Sequence, residues 1–237
     1  KKAYKYNAVD VVSAMTSLNN FFFGNSGNST MTGSGNISLG TDALRSNTSG
    51  SNNVAIGSYT SAGALTSNTS GSQNTAVGSI SLGANTTGSY NTALGTTALS
   101  GNTTGSNNVA VGSGALSTNT TGTFNIGVGI NAIAGLNMSG SNNIGIGQNA
   151  IKKNTSGTYN IGLGYQSLFN NNSGASNIAV GTSALTGNTT GGSNIAIGTE
   201  ALKSNTTGGY NIAIGNGSLF YNMYGQYNVT VGPGSFA

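Results

Sequence analysis

An all-β parallel solenoid, a β-roll, is the fold this sequence predicts, and three observations carry the prediction. One short phrase recurs twelve times, beginning at Asn36, Asn53, Asn74, Asn91, Asn108, Asn125, Asn143, Asn160, Asn177, Asn194, Asn211 and Asn228. The step is 17 residues, except for 21 from Asn53 to Asn74 and 18 from Asn125 to Asn143. A fixed period of this length marks stacked supersecondary units. Each copy also holds one stretch of period-two alternation, the mark of a strand. Finally, each copy carries only about three large apolar groups, too few to offset its own ordering entropy unless coils stack into a shared core.

Residues 1–35 lie outside the phrase. Ala8, Val11, Met15, Leu18 and Phe22 step by 3, 4, 3 and 4 residues, which predicts a short helix with Asn7 as its N-cap. Such a helix is either an oligomerisation neck or plug on the first coil, or a surface helix packed on its own chain. Phe21, Phe22 and Phe23 need cover, which the open end of the stack would supply, and Gly24 to Gly35 reads as a polar joint. The expected division is a helix and joint over 1–35 and twelve coils over 36–237.

Within the phrase the asparagine is counted as position 1. Position 2 is Val, Ile or Thr, position 4 is Ile, Val or Leu, and position 3 is always small. The reading is that positions 2 and 4 fill the coil while position 3 faces the other side. Position 5 is Gly in all twelve copies, so the backbone there requires φ > 0 or a close approach. Positions 8 and 9, usually Ala-Leu, add a third large group, and Asn-Thr-Thr-Gly makes the next corner. Representative expected core residues are Ile56, Leu99, Val111, Ile178, Ile195, Ile197, Ile212 and Ile214.

Three copies depart from the pattern. The second adds four residues around Ser58 to Gly63, read as a loop bulging from a corner. The sixth replaces its polar corner with Ala134-Gly135-Leu136-Asn137-Met138, either a contact site or a repacked corner. The last stops at Phe236 in the leucine slot, after Pro233, which would blunt further strand pairing. Just before it, Phe220, Tyr221, Met223, Tyr224 and Tyr227 form an aromatic cluster, read as an end cap or a recognition tip.

Composition narrows the chemistry. Charged residues are 4%, glycine is 40 of 237, and there is no Cys, His or Trp. Disulfides, thiol nucleophiles, zinc sites and histidine acid–base chemistry are therefore excluded. The net charge of +4 comes from seven scattered cations, three of them Lys1, Lys2 and Lys5. They form no dense stripe of the kind nucleic acid needs, and no apolar run reaches membrane-spanning length. The chain start lacks a signal-peptide layout.

The only carboxylates are Asp10, Asp42 and Glu200. Asp42 and Glu200 lie nine coils apart, roughly 40 Å at the strand spacing, too far for paired-carboxylate hydrolysis. Each has a cation three residues on, Arg45 and Lys203. The Asn-x-Ser/Thr sequons recur at position 12, where stacked glycans would have no room, so these asparagines read as a ladder. Position 17 carries Tyr90, Phe124, Tyr159, Tyr210 and Tyr227, either a sugar-stacking file or a rim contact. No catalytic, metal or cofactor site is expected.

The strand Asn-Ile-Ala-Ile-Gly at Asn194 to Gly198 and Asn211 to Gly215 resembles the head repeat of trimeric autotransporter adhesins. The 17-residue phrase with its Asn-Thr-Thr-Gly corners resembles repeats of bacteriophage tail fibres and related secreted fibre proteins. The resemblance covers 36–237 and implies a parallel β-roll whose three chains associate side by side as a homotrimer. It implies a non-catalytic, host-contacting fibre shaft or adhesin, extracellular or on a virion surface, with itself and a cell-surface glycan or protein receptor as partners. Two rivals remain from the residues alone. One is a filament whose rods join end to end. The other is an ice-binding solenoid using the Thr-Thr of positions 13 and 14, as at Thr86-Thr87 and Thr189-Thr190.

Overall fold

A computed structural model describes residues 2–6, 9–15, 18–58, 63–135 and 138–235, the first two stretches by backbone alone. The inserted loop expected around Ser58 to Gly63, Leu136 of the sixth copy and Phe236 of the last fall wholly or largely outside the described residues. The chain is an all-β parallel solenoid of about twelve coils and divides into two compact units, Lys1–Thr121 and Gly122–Ala237.

In the first unit, β1 (Lys2–Tyr6) and β2 (Val9–Met15) pair antiparallel, and β2 pairs antiparallel with β3 (Asn20–Phe23). From β3 onward every pairing is parallel, through β4 (Ile37–Leu39), β5 (Val54–Ile56), β6 (Thr75–Val77) and β7 (Thr92–Leu94) to β8 (Val109–Val111). The second unit stacks β9 (Ile126–Val128), β10 (Ile144–Ile146), β11 (Ile161–Leu163), β12 (Ile178–Val180), β13 (Ile195–Ile197), β14 (Ile212–Ile214) and β15 (Val229–Val231), all parallel. Equivalent positions lie side by side: Ile178 partners Ile195, and Ile195 partners Ile212.

The N-terminal helix is not found among the described residues, outside which the expected N-cap Asn7 and Ala8 fall. Val9–Met15 is a strand, and its valines favour the pleated sheet over the helix that their spacing mimics. The boundary at residue 36 also moves. Asn20–Phe23 is a strand at phrase positions 1 to 4, and the Asn36 backbone N–H donates to the Asn20 side-chain oxygen at 2.7 Å. The stack therefore begins one coil earlier, in a copy too degenerate to recognise. Its position 3 is Phe22, 3% exposed, where other coils have a small residue. Gly27 at position 8 makes the room, since a Cβ there would lie 2.7 Å from the Phe22 ring.

Strand sidedness is the reverse of the expectation. Position 3 points inward: Ala55, Ala110, Ala179, Ala196 and Ala213 are 0% exposed. Ile56, Val111, Ile178, Ile195 and Ile212 are only half-buried on the outer face, and Ile197 and Ile214 are exposed. Of the expected core residues Leu99 alone is inside. The cause is the narrowness of the coil. Position 1 shares the inner face with position 3, and its asparagine is buried in every coil from Asn36 to Asn211. The position-9 side chain reaches across from the opposite wall and leaves space only for a small side chain or none. A Cβ on Gly145 would sit 2.6 Å from Ile133 Cγ1, and one on Gly162 would sit 2.7 Å from Ile151 Cγ1. Each of these isoleucines is followed by a glycine strand, as is Leu116 by Gly127, whereas Leu168, Leu185 and Leu202 are followed by Ala179, Ala196 and Ala213.

Two files of asparagine run through the stack. In the coil starting at Asn160, the Asn160 and Asn171 amides both donate to the Gly174 carbonyl, at 2.8 and 2.9 Å. Asn171 also donates to Asn154 Oδ1 of the previous coil at 3.0 Å and accepts from Asn188 Nδ2 of the next at 2.8 Å. Asn160 Oδ1 accepts both the backbone N–H and the side-chain N–H of Asn177, each at 3.1 Å. One donor of each buried amide is satisfied within its own coil, and the remaining groups only by the neighbouring coils along the stack. Backbone bonds join the coils at further points, such as Leu168 N to the Ala184 carbonyl and Thr189 N to the Thr206 carbonyl, both 2.9 Å.

The turn that delivers position 9 inward is strained. Leu99, Leu116 and Leu185 have φ of 52°, 52° and 53°, a left-handed conformation that costs an L-residue roughly 1–2 kcal/mol. Full burial of a leucine contributes about 1.5–3 kcal/mol and offsets it. Position 5 is stricter. Gly164 has φ of +130°, and a Cβ there would lie 2.7 Å from the Gly181 carbonyl oxygen.

Two stability outcomes are expected in urea unfolding. Gly162→Ala should destabilise by about 1–3 kcal/mol through overpacking, and Ile151→Leu in the same chain should recover most of the loss; no recovery would refute the cross-wall contact. Asn171→Ala should cost about 2 kcal/mol or more, because it leaves buried hydrogen-bonding groups unpaired.

Candidate functional site

The outward positions 2 and 4 build an apolar surface on each unit, interrupted in the first by Thr75 and Thr92 at position 2. In the first unit the two columns run from Ile37 and Leu39 to Val109 and Val111, with Ile37 44% and Leu39 40% exposed. In the second they run from Ile126 and Val128 to Val229 and Val231. Because the pairing is parallel and in register, like residues repeat along each column at about 4.8 Å. Such columns of half-exposed β-branched side chains are larger than the scattered apolar residues of an ordinary surface.

The expected contact residues separate into different roles. Phe21 and Phe23 point outward at positions 2 and 4 of the first coil and extend the apolar columns, while Phe22 belongs to the interior. Phe220 and Tyr221 meet edge-on at 4.7 Å between ring centroids. Tyr227 stacks on Tyr210 with centroids 5.0 Å apart and planes 9° apart. Tyr221, Tyr224 and Tyr227 are all strongly exposed. The position-17 aromatics Tyr90, Phe124, Tyr159 and Tyr210 are exposed as well.

Polar groups behave differently from what their chemistry alone allows. The position-12 asparagines of the sequons are buried in the ladder, among them Asn102 and Asn205, which leaves them closed to modification in the folded chain. Position-13 hydroxyls turn back to the protein: Thr86 Oγ1 donates to the Thr103 carbonyl and Thr189 Oγ1 to the Thr206 carbonyl, each at 3.0 Å. Asp42 pairs with Arg45 at 3.3 Å and Glu200 with Lys203 at 2.7 Å. Lys203 also lies 5.3 Å from the centre of the Phe220 ring. Among the described residues no group of three or more His, Cys, Asp or Glu side chains is placed to hold a metal, and no helix is long and apolar enough to cross a membrane.

No protein-family model, curated protein or solved structure matches this chain. The functional reading therefore rests on the surface itself. Sequence reasoning found its residues but placed them indoors. The overlooked signal was position 2, where Thr75 and Thr92 are accepted, against position 1, where only asparagine occurs.

This sidedness has a direct consequence for stability. Ile178→Thr, on the outer face, should change the unfolding free energy of a single chain by less than about 1 kcal/mol. Leu185→Ala, inside, should cost about 2–5 kcal/mol. Equal losses in chemical denaturation would reverse the assignment.

Proposed function

We propose that this chain is the shaft of a bacteriophage tail fibre or related adhesin, whose chains associate side by side as a homotrimer through their outer sheet faces. The observation that supports this reading is the pair of aliphatic columns on the second unit, repeated in register from coil to coil, which the first unit matches except for Thr75 and Thr92 at position 2. Contact between such faces would take each half-exposed Ile or Val to full burial, contributing roughly 1 kcal/mol per side chain. Three-fold closure gives every face a partner without leaving an open surface for unlimited growth.

The role is mechanical rather than catalytic. Stacked coils with backbone and amide bonds at several points give stiffness and reach, and host or surface contact belongs to side chains displayed away from the sheet. The place of action on this reading is a virion surface or the extracellular space.

Light scattering on the purified chain at micromolar concentration tests the proposal. Three times the mass of one chain is expected. The pair Ile195→Lys and Ile212→Lys should give a single-chain mass while the strand signal in circular dichroism persists. A wild-type chain that stays monomeric would overturn the reading.

A further inference from the structure

The cation pair Lys152–Lys153 lies on the wall that packs across the interior from the sheet, at positions 10 and 11 of its coil. The two residues at the same positions of the preceding coil, which open its irregular corner, are Ala134 and Gly135. On the following coil they are Phe169 and Asn170. The step from small to large residues leaves a recess of about 420 Å³, lined by Gly135, Lys152, Lys153, Thr155, Asn170 and Asn172 among others. That size falls in the range of small-ligand sites, about 300–1,000 Å³.

The recess has a definite electrostatic character. Among the described residues Arg45 and Lys203 each have a carboxylate partner, and Lys152 and Lys153 have none. No carboxylate occurs in the sequence between Asp42 and Glu200, so none of the three coils around the recess carries a negative side chain. Both ammonium groups lie over the Phe169 ring, at 5.8 and 5.3 Å from its centre. Attraction to the ring steadies both ammonium groups in the absence of an anion. Beside them stand neutral hydrogen-bonding groups. Asn170 makes no side-chain hydrogen bond within the described protein. Asn172 uses its side-chain oxygen to accept from the Thr155 hydroxyl, which leaves its amide N–H groups facing other partners.

We infer that this recess binds an acidic saccharide, a sugar ring carrying a carboxylate. The two lysine ammonium groups take the carboxylate, the asparagine amides take ring hydroxyls, and the lysine methylenes supply apolar contact. The site stands apart from the outer sheet face, so it does not depend on how the chains associate.

Isothermal titration of the full chain with sialyllactose, with a galacturonate trisaccharide and with lactose tests this. Saturable binding of at least one acidic saccharide, weakened by raised salt, with none for lactose, is the expected result. Lys152→Gln with Lys153→Gln should weaken that binding tenfold or more with an unchanged thermal melt, while Lys203→Gln should leave it intact. The inference fails if neither acidic saccharide binds at millimolar concentration. It also fails if the double variant binds as well as the wild type, or if inorganic phosphate displaces the saccharide at equal concentration. A trimer that binds no acidic saccharide would refute this site alone, and a monomer that binds one would refute the assembly alone.

Discussion

Hydrogen bonds between buried asparagine amides of successive coils are the constraint on which this structure depends. A primary amide has two donors and an oxygen with two acceptor sites. Inside the coil starting at Asn160, one donor of each asparagine closes the coil onto Gly174, and the other reaches the previous coil. The oxygens wait for the next coil. An isolated coil would bury these amides half satisfied, at a cost comparable to everything its single leucine contributes. Stacking is therefore a condition of folding here, and the asparagines tie the period together more firmly than the apolar residues do.

The same amides set the sidedness of the strand and, through it, the chemistry of the surface. Position 1 claims the inner face, so position 3 goes inward with it and must be small. Positions 2 and 4 are turned outward by the strict alternation of the strand. A narrow polar and leucine-lined interior thus leaves the β-branched residues outside, in columns. What looks like the core of a larger sheet is an outer face in search of cover, and the proposed side-by-side assembly follows from that. The charge-poor surface supports it, since no ring of charge interrupts the columns.

Much of this architecture was legible from residues alone. The period, the strand over positions 2 to 4, the glycine at position 5 and the asparagine file at position 12 are all found where the repeat places them. The direction of the strand was not, because alternation fixes which residues share a face and says nothing about which face is inside. Burial of β-branched residues is the usual outcome, and it fails here because asparagine and leucine have already filled the coil. The N-terminal strands were misread for another reason: Val11, Met15, Leu18 and Phe22 have helical spacing by coincidence. The coil at Asn20 escaped notice because Phe22 and Gly27 exchange the usual sizes of positions 3 and 8. The lysine recess depends on a step in side-chain size between neighbouring coils, which becomes visible only once the coils are stacked.

The matched sizes of Ile133 with Gly145 and Ile151 with Gly162 bear on how a monotonous chain finds its own alignment. Near-identical laps offer many wrong pairings, each off by a whole lap and each almost as good as the right one. Sliding the strand at Ile178 onto the partner meant for Ile161 would set Ala179 against Ile151, where a Cβ in place of Gly162 would lie 2.7 Å from Ile151 Cγ1. Those two isoleucines therefore work as an index mark on an otherwise uniform scale, penalising a misthreaded chain where the remaining laps would tolerate it.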